Sequence, residues 1–285
     1  MIRLIERVIV TDIDGTLAHK DRIPDKVARS CAVLREKGWS IHVATGRILA
    51  SALPHALHIG AKSPAIVYDG ARLMELRSRT AVREARLGGE VLSLALNSVW
   101  DAPVMLQLFG DEKIRCRPED VKVAEYFRSI GVPVRQDLVS PDVRGEYFRG
   151  IVYGAPEDIQ EARGIVEAKL GDRVTVTMAG KSFLDILPLG VSKGAALEWY
   201  LESLPPRQRI VVAVGDHLND EDLLRRADIA VSMEDAPFEL RESADILLPP
   251  ASEGGFSKLV DFLMDEEFLR ETTSLRQIAK TESGR

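Results

Sequence analysis

Carboxylates gather at the ends of apolar runs in this chain. Val8-Ile9-Val10 leads into Thr11-Asp12-Ile13-Asp14-Gly15, and Val211-Val212-Ala213-Val214 into Gly215-Asp216-His217-Leu218-Asn219-Asp220. Two further runs end in the same way: Ile41-His42-Val43-Ala44 in Thr45-Gly46-Arg47, and Ile66-Val67-Tyr68 in Asp69-Gly70. If these runs are neighbouring parallel strands, their polar ends meet at one rim, where ligands bind in doubly wound sheets. Asp12, Asp14, Asp216 and Asp220 would then crowd together, and ionised carboxylates at such range repel strongly unless a cation neutralises them. An all-oxygen set of carboxylates suits a hard cation, and Mg²⁺ leads because it commonly bridges protein carboxylate and substrate phosphate. Donors for a phosphate are also at hand. Thr45 has a hydroxyl, Gly46 lets a backbone N–H approach an oxyanion closely, and the helix that follows adds its N-terminal dipole. Ser192-Lys193-Gly194 opens another helix, with Ser192 as its N-cap. Lys193 in that first turn is mildly unfavourable to the helix dipole; meeting a phosphate or carboxylates would explain it.

Such groups need a frame. Short apolar runs bounded by turn residues alternate with longer amphipathic stretches, which predicts βα units and a parallel sheet. Strands are expected at Val8–Thr11, Ile41–Ala44 and Ala65–Tyr68. A helix is expected over Asp25–Lys37, with Ala28, Cys31, Ala32 and Leu34 near one face and Gly38 as its stop signal. Pro54 should kink or shorten the helical stretch between the second and third strands. Arg72–Leu76 and Ala81–Leu87 read as a hairpin turning at Ser78-Arg79.

After Leu87 the pattern becomes strand-rich. Strands are expected at Val104–Phe109, Tyr147–Tyr153, Val174–Met178 and Phe183–Leu187, with helices near Val91–Val99, Val121–Ile130 and Pro156–Leu170. The alternation then resumes with a helix at Lys193–Ser203 and strands at Ile210–Val214, Ile229–Ser232 and Ile246–Leu248. The expected organisation is a split core, residues 1–86 and 188–285, with an inserted α+β domain at 87–187 between its halves. From about Asp265 the charged tail reads equally as a frayed helix or as disordered chain.

Composition narrows the function classes. The 285 residues are 45% hydrophobic and 29% charged, a balance able to bury a sizeable core. A net charge of −6 argues against generic nucleic-acid binding, which relies on a broad basic surface. No apolar run approaches the roughly 20 residues of a membrane helix. Met1–Arg7 lacks the apolar core and cleavage site of a signal peptide. Cys31 and Cys116 lie far apart without metal-type spacing, so the expectation is a reduced, cytoplasmic chain.

Asp12-Ile13-Asp14-Gly15-Thr16-Leu17, Thr45-Gly46-Arg47, Lys193 and Gly215-Asp216-His217-Leu218-Asn219-Asp220 together resemble the four motifs of the haloacid dehalogenase-like (HAD) superfamily, in the family's order. The insertion between the second and third motifs resembles the α+β cap of its Cof-type, or IIB, branch. The resemblance implies a doubly wound, Rossmann-like core and a Mg²⁺-dependent phosphatase acting on a small phosphorylated metabolite, with sugar phosphates favoured. It implies that Asp12 accepts the phosphoryl group as an aspartyl-phosphate. Asp14 would protonate the leaving alkoxide and then deprotonate the hydrolytic water. Mg²⁺ would be held by the Asp12 carboxylate, the Asp14 backbone carbonyl and Asp216, with Asp220 in support. Thr45, Gly46 and Lys193 would hold the phosphate, and Asn219 would brace the loop or Lys193.

The chain departs from the branch pattern in two places. Asp69-Gly70-Ala71 stands where Asn-Gly-Ala is usual, and Met233-Glu234-Asp235-Ala236 where Gly-Asn-Ala usually follows Met. The favoured reading of Asp69 is that it satisfies backbone groups in a turn; the other is a carboxylate at the substrate mouth. Arg47 is expected to pair with a core carboxylate, His217 to be a plain loop residue, and His55 and His58 to lie on a solvated face. Arg144, Tyr147, Arg149, Lys181 and Phe183 are cap residues that could face the leaving group, each read first as structural or solvated. Two rival functions stay open: a phosphomutase or phosphotransferase of the same family, and a phospho-accepting receiver-like signalling module.

Overall fold

The structure, a computed structural model, describes residues 5–111 and 113–283, with side chains through residue 274. Met1–Leu4, part of the stretch read above for a leader, lie outside the described residues. β1 (Glu6–Thr11) is buried from Val8 onward. α1 (Asp25–Glu36) follows and ends at Gly38, whose φ of 90° is left-handed. Its buried face is Val27, Ser30, Cys31 and Leu34. Ala28 and Ala32, expected there, are only partly buried, because the larger Val27 and Leu34, seven residues apart, take the inward position. β2 (Trp39–Val43) pairs in parallel with β1, from Arg7 opposite Trp39 to Thr11 opposite Val43. α2 (Leu49–His58) runs through Pro54 rather than stopping there. The proline faces solvent and removes one bond of the ladder, while buried Leu53 and Ala56 beside it keep the helix packed.

β3 (Ala65–Val67) corrects the simplest reading of four parallel neighbours. It meets the main sheet through a single parallel bridge, Ala44 to Ile66. Its full partners are β4 (Arg72–Met74) and, beyond that, β5 (Ala81–Glu84), in an antiparallel three-stranded sheet. The expected Tyr68 end of the strand has already turned away, with φ of 52°. The β4–β5 hairpin turns where the sequence suggests, with Arg79 at φ 58°.

The insertion begins with β6 (Leu87–Gly88) and α3 (Gly89–Val99). β7 (Met105–Phe109), β8 (Ile114–Cys116), α4 (Val121–Ser129) and β9 (Val134–Arg135) follow. The expected strand at Tyr147–Tyr153 is two strands divided at Phe148, β10 (Glu146–Tyr147) and β11 (Arg149–Tyr153). β10 pairs with β6, whereas β11 lies between β7 and β13. α5 (Pro156–Leu170), β12 (Val174–Met178) and β13 (Phe183–Pro188) complete the cap. Its sheet has the order β12-β13-β11-β7-β8-β9. Strand alternation gives this sheet two faces. Leu106, Leu108, Val152, Leu184 and Ile186 pack with α3 and α5, which leaves the residues between them to face the core.

α6 (Lys193–Ser203) re-enters the core, followed by β14 (Arg209–Gly215), α7 (Glu221–Arg226), β15 (Ile229–Met233), α8 (Phe238–Glu242), β16 (Ile246–Leu248) and α9 (Leu259–Leu263). The core sheet is wholly parallel, in the order β16-β15-β14-β1-β2. Ile9 packs with Cys31, Leu34 and Leu259 on one face, and Val8 and Val10 with Leu197 and Leu223 on the other. The fold is therefore a doubly wound α/β core with an inserted α+β cap. Of the two readings of the tail, the helical one holds through Ser283: α10 (Glu266–Ser283) buries Leu269 and ties Glu266 to Arg7 at 2.6 Å. Among the described residues no helix is long and apolar enough to cross a membrane.

Candidate active site

β1 and β14 lie side by side with Thr11 opposite Val214, so the loops that follow them share one end of the sheet. The Asp12 N–H donates to the Val214 carbonyl at 2.9 Å. Of the Asp12 carboxylate, Oδ1 accepts from the Ile13 N–H at 2.7 Å and Oδ2 lies 3.0 Å from Lys193 Nζ. Gly15 turns the chain back with φ of 76°, and a Cβ there would overlap the Asp216 carboxylate. Asp216 Oδ1 accepts the Thr16 hydroxyl at 2.8 Å. Asp220 Oδ2 accepts the N–H groups of Asp216 and His217 at 3.0 and 3.2 Å, and its Oδ1 accepts Lys193 Nζ at 2.7 Å. Lys193 itself has no exposed surface. Ser192 caps its helix as the spacing predicts, accepting from the Ala195 N–H at 2.9 Å.

One oxygen from each of Asp12, Asp216 and Asp220 lies within 4.8 Å of the others, and all three residues are buried. Burial pushes the Asp12 carboxyl well above the ordinary carboxylate range; Lys193 opposes this, and Asp220, Asp216 and Asp14 add to it. Asp220 is raised for the same first reason, again against Lys193. Burial works against the Lys193 ammonium, but Asp12 and Asp220 outweigh it and hold its pKa above the lysine range. Three carboxylates facing one ammonium leave a buried negative excess made of oxygen donors. That donor chemistry fits a hard divalent cation. The Asp14 side chain stands outside this trio, about half exposed at the rim.

The second motif reaches the same rim from β2. Thr45 is buried and its Oγ1 accepts the Arg47 N–H at 3.2 Å. Gly46 packs against the Asp69 carboxylate, with no room for a side chain. Arg47 pairs with carboxylates of the core, as expected. Its guanidinium lies at the cavity mouth and grips exposed Asp14 through Nε and Nη2 at 2.6 and 2.5 Å, and exposed Asp21 at 2.7 Å. His55 leaves the solvated face assigned to it, its Nδ1 meeting the Ser51 carbonyl at 3.1 Å and its Nε2 approaching Asp21 at 3.3 Å. His58 is exposed. His217 is more than a plain loop residue: its Nδ1 is hydrogen-bonded to Asp216, which raises its pKa to about 8.

Asp69 departs furthest from its expected part. Tyr68 and Asp69 both adopt left-handed φ, 52° and 51°, which turns the Asp69 carboxylate inward rather than onto its own turn. There it accepts Arg149 Nη1 at 3.0 Å and Asn219 Nδ2 at 2.8 Å, with 1% of its surface exposed. Asn219 is thus held by Asp69, and no bond joins it to Lys193 among the described residues. Arg149 Nη1 also lies 3.0 Å from Asp185 Oδ1, so one cap guanidinium joins a core and a cap carboxylate. Burial pushes the Asp185 carboxyl up to about 7, against the pull of Arg149.

A cavity of about 360 Å³ separates the core rim from the cap sheet. Asp12, Asp14, Thr45, Gly46 and Asn219 line its core side, and Arg149 and Phe183 lie on its cap side. Arg144 and Tyr147 line a different cleft on the cap, and Lys181 lines neither. Gln107 and Asp185 also face this cavity, though motif reading did not single them out. Their signal is alternation: each is a polar residue between two apolar ones on a cap strand, in Leu106-Gln107-Leu108 and Leu184-Asp185-Ile186.

A parallel sheet whose acidic rim is roofed by an α+β cap is the frame of the capped, doubly wound hydrolases. The chain belongs to the haloacid dehalogenase-like hydrolases, whose family model matches residues 9–260. It is 27% identical over 243 residues to a protein of Shigella flexneri serotype 5b named HMP-PP phosphatase, spanning 82% of this chain and 86% of the relative. Its fold is shared with a haloacid dehalogenase-like hydrolase from Bacteroides thetaiotaomicron, at 20% identity and a TM-score of 0.74 over 90% of this chain and 98% of the other. A HAD subclass IIB sugar phosphatase superposes equally well, with a TM-score of 0.74 at 19% identity and the same coverage of each chain.

Proposed function

We propose that the protein is a Mg²⁺-dependent phosphatase that hydrolyses a small phosphomonoester metabolite, a sugar phosphate or similar, through an aspartyl-phosphate on Asp12. The observation that carries this reading is the Asp12 carboxylate at the cavity floor, 3.0 Å from buried Lys193 and clustered with Asp216 and Asp220. The phosphatase name of the Shigella relative supports the reaction class. Residues 1–86 and 188–285 are read as the catalytic core and 87–187 as the cap that governs specificity.

In the first step an Asp12 oxygen attacks phosphorus while the bond to the leaving alkoxide breaks, and Asp14 gives that alkoxide its proton. In the second, Asp14 takes a proton from water as the water attacks the aspartyl-phosphate, releasing inorganic phosphate and restoring Asp12. Arg47, bonded twice to Asp14, positions this acid at the cavity mouth. Thr45, the Gly46 backbone and Lys193 hold the phosphate oxygens. Asp220 has both oxygens occupied by Lys193 and by two backbone N–H groups, so its part is to fix the lysine and the loop beside the metal ligands. The Asp12 carboxylate, the Asp14 carbonyl and Asp216 would hold Mg²⁺, which would supply the charge neutralisation that lets an anionic phosphate approach an anionic nucleophile.

The test is phosphate release from a panel of phosphorylated metabolites with and without Mg²⁺, for wild type, Asp12→Asn and Asp14→Asn. Wild type should need the metal, Asp12→Asn should be inactive, and Asp14→Asn should capture phosphate without turnover. Activity surviving Asp12→Asn would sink the mechanism. Isomerised sugar phosphate in place of inorganic phosphate would favour a mutase.

A further inference from the structure

The cleft that holds Arg144 and Tyr147 shares no lining residue with the cavity over Asp12, among the described residues, and its charge is the reverse of the acidic rim. It measures about 910 Å³ and lies where β4 of the core meets the β7–β8 turn, β9 and β10 of the cap. Five cations line it, Arg72, Lys113, Arg115, Arg135 and Arg144, against three carboxylates, Asp111, Asp137 and Glu146. On a chain of net charge −6 such an excess is local rather than general.

The carboxylates are already answered. Asp111 accepts Arg86 Nη1 and Nη2 at 2.6 and 2.7 Å, Asp137 accepts Arg115 Nε at 2.7 Å, and Glu146 lies 3.9 Å from Arg86 Nε. Several cations are not. Half-buried Lys113 and exposed Arg135 and Arg144 have no ion-pair partner among the described residues. Arg72 pairs with Glu84, yet its Nε is buried without a hydrogen-bond partner. Arg135 stands beside Arg115 in the β8–β9 ladder, and neighbouring like charges repel. The positive groups are also held in place. Buried Phe148 carries the Arg72 and Arg86 guanidinium groups against its ring, at 4.3 and 4.7 Å from the centroid. Arg115 Nη1 donates to the Tyr147 hydroxyl at 3.0 Å.

We propose that this cleft is a second ligand site, separate from the cavity over Asp12, and that it takes a compact polyanion carrying two or more phosphate groups. The unpaired cations come from three segments, the β7–β8 turn, β9 and the loop before β10. Charge spread in this way matches several linked anionic groups better than one. Guanidinium forks suit phosphate oxygens, and the volume suits a small molecule. A nucleic acid would need a broad basic surface, whereas carboxylates interrupt the cations here. Arg72 belongs to the core and the other four cations to the cap, so the bound anion ties one to the other.

The test is calorimetric binding of inorganic tripolyphosphate to the whole protein in metal-free buffer. Without metal the acidic rim around Asp12 repels anions, so the measurement depends neither on turnover nor on the phosphatase reading. Wild type should bind one tripolyphosphate per chain, about tenfold or more tighter than orthophosphate. Arg135→Gln and Arg144→Gln should each weaken binding about fivefold, and the two combined with Lys113→Gln about a hundredfold. Lys169→Gln, which removes an exposed cation on α5, should leave it unchanged. The triple variant should keep the wild-type urea midpoint, because the removed cations have no partner in the protein. No stoichiometric binding, an equal loss in Lys169→Gln, or full binding by the triple variant would overturn the proposal. So would a single-stranded RNA that binds more tightly than tripolyphosphate. ATP carries the same anion on a nucleoside. Equal or weaker ATP binding assigns the site to free polyphosphate and tighter binding to a nucleotide, and either result supports the site.

Discussion

Lys193 shows how one side chain balances several others. It is fully buried between the Asp12 and Asp220 carboxylates, an arrangement in which desolvation is repaid only while every partner remains. Lys193→Met removes the one ammonium bonded to both and leaves two carboxylates facing each other. The expected loss is about 3–5 kcal/mol of folding stability in chelator, measured by denaturant unfolding, with part recovered when Mg²⁺ is added. A variant as stable as wild type in chelator would show that the carboxylates do not depend on this cation. At this scale the sequence was readable where chemistry is local: a lysine misplaced in a helix's first turn, a Gly after Asp-Ile-Asp. It was unreadable where a partner lies far along the chain. Nothing near Asp69 announces Arg149, 80 positions away, and two consecutive left-handed residues are what bring them together.

The elements that carry the candidate site were legible because its acidic loops follow strands whose apolar runs are continuous, as expected for a sheet covered on both faces. β8 and β9 were missed: three and two residues long, they are too short for alternation to register, and pairing with neighbours alone makes them strands. Likewise β3 carries the apolar run of a parallel strand but spends its hydrogen bonds on β4. The joint between β11 of the cap and the turn after β3 is a buried tie between cap and core, with Arg149 7% exposed and Asp69 2%. Arg149→Leu should cost about 3–5 kcal/mol, since it strands buried charge. Arg149→Leu combined with Asp69→Asn should cost less than the single change, because one of the two stranded carboxylates is gone. Chemical denaturation of the single and double variants decides this, and additive or worse losses would refute it.

For the whole molecule, the alternation of βα units and its interruption were visible in the pattern, but the docking of cap on core was not, since it rests on side chains from both halves. The core also sets an acid limit. Burial holds the His42 imidazole below its ordinary 6.5, although its Nδ1–H donates to the Pro64 carbonyl at 3.2 Å. The unfolded chain therefore takes up a proton near pH 6.5 that the native protein refuses. Stability from this group is complete above that pH and falls as pH drops toward the lower native value, by at most about 1.4 kcal/mol per pH unit. His42→Asn should flatten the decline in urea midpoint between pH 7 and 5.5, and identical slopes would exclude His42 as its source.

The Arg149 bridge has a last consequence, for recombination. Cap and core are separate enough in topology to invite exchange between relatives, yet this core offers a buried carboxylate at Asp69 whose charge is balanced by a cationic cap residue. A chimera that joins this core to a cap with a neutral side chain in Arg149's place should express poorly or purify unfolded. Asp69→Asn in the same chimera should rescue it, so grafts on this scaffold are compatible in pairs rather than freely interchangeable.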